Sequence, residues 1–170
     1  HPQHSKYYIR RVRADNKDPL TQFMIQSGFV AEPCVMKPES TTVFSFPVKV
    51  ADGALLREEL SALQHLKLWL IYQRHYCEHK PSVTINVKEH EWMDVGAFVY
   101  KHFDEITGVS FLPHDGGTYK QAPYEECSKE QYEEMLKLIP TTIDWNSFKE
   151  FDDNVEGAQQ LACVAGVCEI

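Results

Sequence analysis

At 170 residues, with 43% apolar and 12% aromatic side chains, the chain has the composition of a globular protein that can bury a core, which excludes a disordered segment. Its formal net charge of −8 excludes non-specific binding of nucleic acid polymers, an affinity that Lys and Arg supply by neutralising phosphates. No apolar run approaches the roughly 18–20 residues of a membrane span and no secretory leader is read. Five cysteines, an odd number at irregular spacing, fit free thiols in a reducing cytosol, so a cytoplasmic protein is expected.

The chain opens at His1-Pro2 without an initiator Met, which points to processing or to a piece of something longer. "YYIRRVR" reads as a strand whose Arg10, Arg11 and Arg13 reach solvent or an anion. "DPLTQFMIQSGF" predicts a short helix with Asp18 as N-cap, Pro19 in the first helical position and Gly28 as the stop. "TTVFSFPVK" predicts a strand over about 42–48, with Pro47 marking its end or an edge. "LLREELSALQHLKLWLIYQRHYCEH" is the longest helical candidate, with Leu56, Leu60, Leu63 and Leu70 near the 3.6 period and Pro81 beyond it. A strand over 82–87 and a second amphipathic helix follow, the helix carrying Trp92, Val95, Val99 and Phe103 on one stripe. A third strand over 108–112 closes at Pro113 and "HDGGT".

Strand, helix, strand, helix, strand with short connections is the crossover pattern of a parallel sheet with helices outside. "SKEQYEEMLKLI" predicts a last helix opened by a capping box of Ser128 and Gln131. Beyond "IDWNSFKEF" the apolar period fades, and "DDNVEGAQQ" reads as a flexible linker. The expected organisation is an α/β body over 1–151 and a tail over 152–170.

That tail ends "LACVAGVCEI", which places Cys163 and Cys168 five positions apart near the last residue. A disulfide there would restrain little of the unfolded chain, so a stabilising staple is a poor account of the pair. Zinc would need about four ligands and the tail supplies two. Chance remains an alternative, but a redox dithiol is the favoured reading. The roughly 12–15 linker residues span ~20 Å on average and ~50 Å when stretched, enough for an arm that carries reducing equivalents by direct sulfur contact.

Other clusters have plainer readings. In "RHYCEHK" only His75 and His79 share a helical face with each other, so a solvated helix end suits it better than zinc with Cys77. "KPESTT" lacks the Gly-rich turn and Lys of a phosphate loop. "YEECSKEQYEE" reads as a helix start with a solvated acidic face.

"HPQHSKYYIRRVR", "VFSFPVK", "WLIYQRHYCEHKPSVTINVKEHEWMDVGAFVY", "GVSFLPHDGGTYKQAPYEE" and "ACVAGVCEI" together resemble one family. It is the class II, adenosylcobalamin-dependent ribonucleotide reductases, in their C-terminal part. The resemblance covers nearly the whole chain. It implies an α/β fold, the closing and incomplete portion of a ten-stranded α/β barrel, whose unfinished sheet edges need the remainder of the reductase chain. It also implies adenosylcobalamin as cofactor and ribonucleotides as substrates, reduced by thiyl-radical chemistry for DNA synthesis. Cys163 and Cys168 match the family's tail pair, which re-reduces the active-site disulfide and is reset by thioredoxin or a similar dithiol protein.

The family's radical-bearing cysteine motif, its two substrate-reducing cysteines, its phosphate-binding stretch and its effector site have no match here, so the chain alone is expected to be inactive. Because ligands gather at the carboxyl ends of parallel strands, Ser110 and Phe111 are assigned to the cofactor and Asn86 to the substrate. The alternative is that Phe111 and Leu112 are barrel core. A rival of another class is a non-catalytic zinc-binding or interaction module using the tail cysteines or His75, Cys77 and His79. A stand-alone thiol oxidoreductase is disfavoured, because no C-x-x-C opens a helix.

Overall fold

The computed structural model describes residues 1–114 and 120–149. In chain order these form β1 (Tyr7–Asp15), α1 (Pro19–Gln26), β2 (Ala31–Pro33), β3 (Thr41–Lys49) and α2 (Ala62–His75). Then come β4 (Thr84–Val87), a 3₁₀ turn (Glu89–Glu91), α3 (Trp92–Lys101), β5 (Ser110–Pro113), β6 (Tyr124–Glu126), α4 (Lys129–Leu136) and a 3₁₀ turn (Trp145–Ser147). Mixed α/β architecture is as expected. Cys163 and Cys168, and with them the expected tail, lie outside the described residues. The described residues fall into two compact units, one of 1–6 with 50–114 and one of 7–49 with 120–149.

The second unit is a four-stranded sheet in the order β2-β3-β1-β6, antiparallel throughout. The expectation that the strand around 42–48 joins the later two in one parallel sheet is therefore corrected. β3 pairs residue for residue with β1, from Tyr7 opposite Lys49 to Asp15 opposite Thr41. It runs through Pro47 to Lys49, which the ladder tolerates because β2 pairs only Thr42–Phe44 and leaves Pro47 on a local edge. Val43 and Phe44 are the buried centre of this sheet.

The acidic run is also corrected. Tyr124–Glu126 is a strand on β1, and the helix begins only after Ser128, whose capping box with Gln131 forms as expected. Charge draws the strand in. Arg11 Nη1 bonds Glu125 Oε2 at 2.5 Å and the Ala122 carbonyl at 3.2 Å, while Arg10 lies 4.3 Å over the Tyr124 ring. Arg13 donates to the Gln121 carbonyl at 3.0 Å, so all three arginines hold the 121–126 segment. Gln121 itself takes φ +56°, and its amide reaches the Val35 N–H, Glu32 and the Pro33 carbonyl, tying β2 to the same segment. At α1 the predicted signals hold: Asp18 accepts from the Leu20 N–H at 2.8 Å, and Gly28 at φ +87° carries the chain out of the helix.

The first unit is a crossover. β4 and β5 pair in parallel, with the 3₁₀ turn and α3 between them, as the pattern predicts. α2 is shorter than read: Ser61 caps it and Gln64 completes a capping box, so Leu56 and Leu60 precede it. Its buried face is Ala62, His65, Leu66, Trp69 and Leu70, the i, i+3, i+4, i+7, i+8 stripe of an amphipathic helix. These apolar residues pack with Val83, Ile85, Val87 and Val95 into the core of the unit. On α3, Val95 is buried and Val99 and Phe98 join the core, whereas Phe103 is 72% exposed and leaves the expected stripe.

An exposed network joins the end of α2 to the segment after α3. Arg74 grips Glu105 through Nε at 2.5 Å and Nη2 at 2.6 Å, and His102 Nδ1 meets the same carboxylate at 3.0 Å. Hydrogen bonds from Arg74 and then His102 lower the Glu105 pKa from 4.5 to about 2. A depressed carboxyl stabilises the fold fully above its unfolded pKa near 4.5, and that contribution is lost as pH falls toward 2. Urea unfolding of the protein between pH 5 and 2.5 should therefore lose stability as acid is added. The Glu105→Gln variant should lose less over the same range, by at most the linkage of one proton. Equal pH slopes in the two proteins would contradict this.

Candidate site at the carboxyl ends of the parallel strands

The register of β4 and β5 sorts the residues assigned from sequence. Thr84 stands opposite Ser110, Ile85 opposite Phe111, Asn86 opposite Leu112 and Val87 opposite Pro113. Side chains alternate along a strand and registered neighbours share a face. Ile85 and Val87 face the core, so Phe111 lies on that side, packed against the core and edge-on to Trp92 at 6.5 Å. Asn86 and Ser110 occupy the other face. Ser110 opens β5 rather than closing it, its N–H donating to the Val83 carbonyl, so it sits about 10 Å from the strand's carboxyl end. Asn86, half-buried, is one residue from the end of β4. The structure thus brings Asn86 and Ser110 onto one surface and separates Phe111 from both.

Three basic residues, none singled out from the sequence, occupy the same unit. His114 follows Pro113 and extends the parallel ladder, its N–H donating to the Val87 carbonyl at 2.9 Å. The amino-terminal segment bridges the strand-like stretch before α2: Gln3 pairs with Leu56, its N–H bonds Leu55 O, and its carbonyl accepts from the Arg57 N–H, both at 2.8 Å. That register sets His4 beside Arg57. Burial, then the charge of Arg57, then His114, push the His4 pKa down from 6.5 to about 4. Arg57 Nε and His114 Nε2 are both buried and have no hydrogen-bond partner among the described residues. Nearby, the rings of His1 and His65 meet edge-on at 5.7 Å, and burial and then the amino terminus lower the His65 pKa.

The carboxylates of this region are otherwise engaged. Glu91, buried, accepts from the Ala62 N–H at 3.0 Å and the Lys88 N–H at 2.9 Å. Glu59 accepts from the Leu56 N–H at 2.8 Å. Among the described residues no group of three or more His, Cys, Asp and Glu is arranged to hold a metal ion. His75 closes α2, and Cys77 and His79 follow it. Cys34, Cys77 and Cys127 are free thiols. Burial works to raise the pKa of Cys34, yet the Lys37 and Met36 N–H groups and Arg13 bring it below the ordinary thiol value. No helix among the described residues is long and apolar enough to cross a membrane.

Parallel strands joined through a helix, with Asn86 and His114 near their carboxyl ends, define the class as an α/β protein. No family model matches the chain. An adenosylcobalamin-dependent ribonucleoside-triphosphate reductase of Euglena gracilis is 31% identical over 165 residues, which is 96% of this chain and 23% of that protein. The enzyme of the same name from Lactobacillus gasseri is 28% identical over 100% of this chain and 24% of its own length. A crystal structure of a B12-dependent (class II) ribonucleotide reductase matches with a TM-score of 0.62 and 25% identity, covering 84% of this chain and 20% of that one. Over nearly its whole length the chain is thus similar to a segment of proteins named adenosylcobalamin-dependent ribonucleoside-triphosphate reductases. It spans about a quarter of the length of the curated relatives it matches.

Proposed function

We propose that the chain serves as the C-terminal segment of an adenosylcobalamin-dependent ribonucleotide reductase in the cytoplasm, which makes 2′-deoxyribonucleotides from ribonucleotides. The observation that carries this reading is the match of 96% to 100% of the chain to named reductases, joined to a class II structural match. In this reading β4 and β5 are closing strands of a barrel, and residues 1–151 complete it together with the remainder of the reductase. The segment alone has no turnover, because the radical and substrate-reducing cysteines belong to that remainder.

Adenosylcobalamin, when bound, supplies the radical through homolysis of its cobalt–carbon bond. The residues present fit the polar periphery of such a group, since the orphaned Arg57 Nε is a buried donor and His114 Nε2 a buried ring nitrogen, both suited to a polar partner such as an amide or a phosphate. Asn86 and Ser110 line the surface offered to substrate and cofactor, and Phe111 stiffens it from the core side. Cys163 and Cys168, on the tail over 152–170, take electrons from thioredoxin or a similar dithiol protein and pass them to the active-site disulfide by thiol exchange.

The test starts with mild oxidation, disulfide mapping by peptide mass spectrometry, and treatment of the product with thioredoxin. A Cys163–Cys168 disulfide that thioredoxin opens quickly is expected. A pair that resists oxidation, or a disulfide inert to thioredoxin, removes the shuttle role.

A further inference from the structure

We propose that Arg57 and His114, with His4 beside them, form a phosphate-binding site at the carboxyl ends of β4 and β5. The choice of compounds to test rests on the reductase reading; the site itself rests on the geometry that follows. Arg57, half-buried with its Nε out of water, makes no ion pair among the described residues, although an arginine placed so ordinarily has a carboxylate or phosphate partner. Its Nε is fully buried and donates to nothing among the described residues, and the same holds for His114 Nε2. The other arginine with such a buried Nε, Arg11, differs because its Nη1 already holds Glu125.

Among the described residues, the carboxylates of Glu91 and Glu59 are held by backbone N–H groups and do not pair with Arg57. Both oxygens of Glu91 are taken by backbone N–H groups, Glu59 caps Leu56, and Lys88 adds its own positive charge, its Nζ lying 3.4 Å from the Glu58 carbonyl. Arg57 and Lys88 thus carry positive charge without a carboxylate partner among the described residues, in a chain of net charge −8. Its location adds direction. His114 continues the ladder past Val87 at the end of the strands where parallel α/β folds bind ligands. A phosphate group suits the donors: it accepts the guanidinium fork and an imidazole N–H together and offsets their charge. Burial first, and then the charge of Arg57, keeps His4 neutral; an anion seated there would offset the second of these and favour the protonated ring.

Two sources could deliver the phosphate, the triphosphate of a ribonucleotide or the phosphodiester in the nucleotide loop of a cobalamin. Inorganic tripolyphosphate is the first probe, titrated into the 170-residue chain by calorimetry while the histidine ring resonances are followed by NMR. Saturable binding of one equivalent is expected, with shifts at His114 and His4 and a rise in melting temperature. Arg57→Gln and His114→Gln should each weaken binding about tenfold or more, and Arg57→Lys less than Arg57→Gln. Circular dichroism melts show that the variants fold, and for any variant that does not, the histidine shifts of the unaltered protein decide. No saturable binding, or affinity unchanged in both Gln variants, overturns the site.

Competition then separates the sources. Displacement by a ribonucleoside triphosphate assigns the site to the nucleotide. Displacement by cobalamin but not by cobinamide, which lacks the phosphodiester loop, assigns it to the cofactor. Tripolyphosphate binding that neither displaces leaves the phosphate site standing and counts against the reductase reading instead.

Discussion

In a complete reductase carrying this segment, replacing Cys163 and Cys168 by Ser should abolish sustained turnover with thioredoxin while leaving the first turnover intact. The argument is one of access. Thiol–disulfide exchange requires one sulfur to attack another directly, so a disulfide buried in a barrel cannot be opened by a folded protein without a dithiol that reaches both. A small dithiol reductant enters without an arm and should restore turnover to the double variant. Each single variant should fail as the double does, because a lone thiol forms a mixed disulfide and has no neighbour to resolve it. Sustained thioredoxin-driven turnover in the double variant would overturn the tail's role, whereas loss of the first turnover would show that these cysteines act in the chemical step itself.

The second large effect concerns stability. Glu91→Ala should lower the unfolding free energy of the protein by ~3 kcal/mol, read as a shift of the urea midpoint at constant slope. One carboxylate caps two elements at once, accepting from Ala62 at the start of α2 and from Lys88 ahead of the 3₁₀ turn. Ala62 is 1% exposed, so water does not readily replace the lost acceptor. Glu91→Gln keeps one oxygen and should cost less, about half as much. A shift under ~1 kcal/mol for the Ala variant would mean that the two N–H groups find other partners.

Much of the fold was legible because its signals are local. Asp18, Pro19 and Gly28 bound α1 by the chemistry of a cap, a fixed φ and a left-handed exit, and Ser128 with Gln131 opens α4. β4, α3 and β5 followed from the switch between periods of 2 and 3.6. The start of α2 was misread because Leu56 and Leu60 keep the helical period without being helical, while Ser61 and Gln64 carried the true signal. β2 and β6, of three residues each, are too short for any alternation to register. The antiparallel placement of β3 depends on partners far away in sequence.

The site was legible in part. Asn86 and Ser110 do share a surface, but the start of β5 at Ser110 turns Phe111 inward, and one residue of register decides that. The cluster of His4, Arg57 and His114 comes from three separated stretches with no common motif. Only the pairing of Gln3 with Leu56 and of β4 with β5 assembles it.

The arginine-rich strand has a consequence for how the protein is made. Arg11 and its partner Glu125 are 114 residues apart, so at translation rates of about 5–20 residues per second β1 waits on the order of ten seconds for β6 to emerge. For that interval the antiparallel pair of β1 and β3 has an open outer edge. A row of positive charge along such an edge repels another copy of itself and discourages pairing with neighbouring nascent chains. The acidic "YEE" strand is the partner that cancels it. The same arginines that later fasten the sheet thus guard it while it is unfinished.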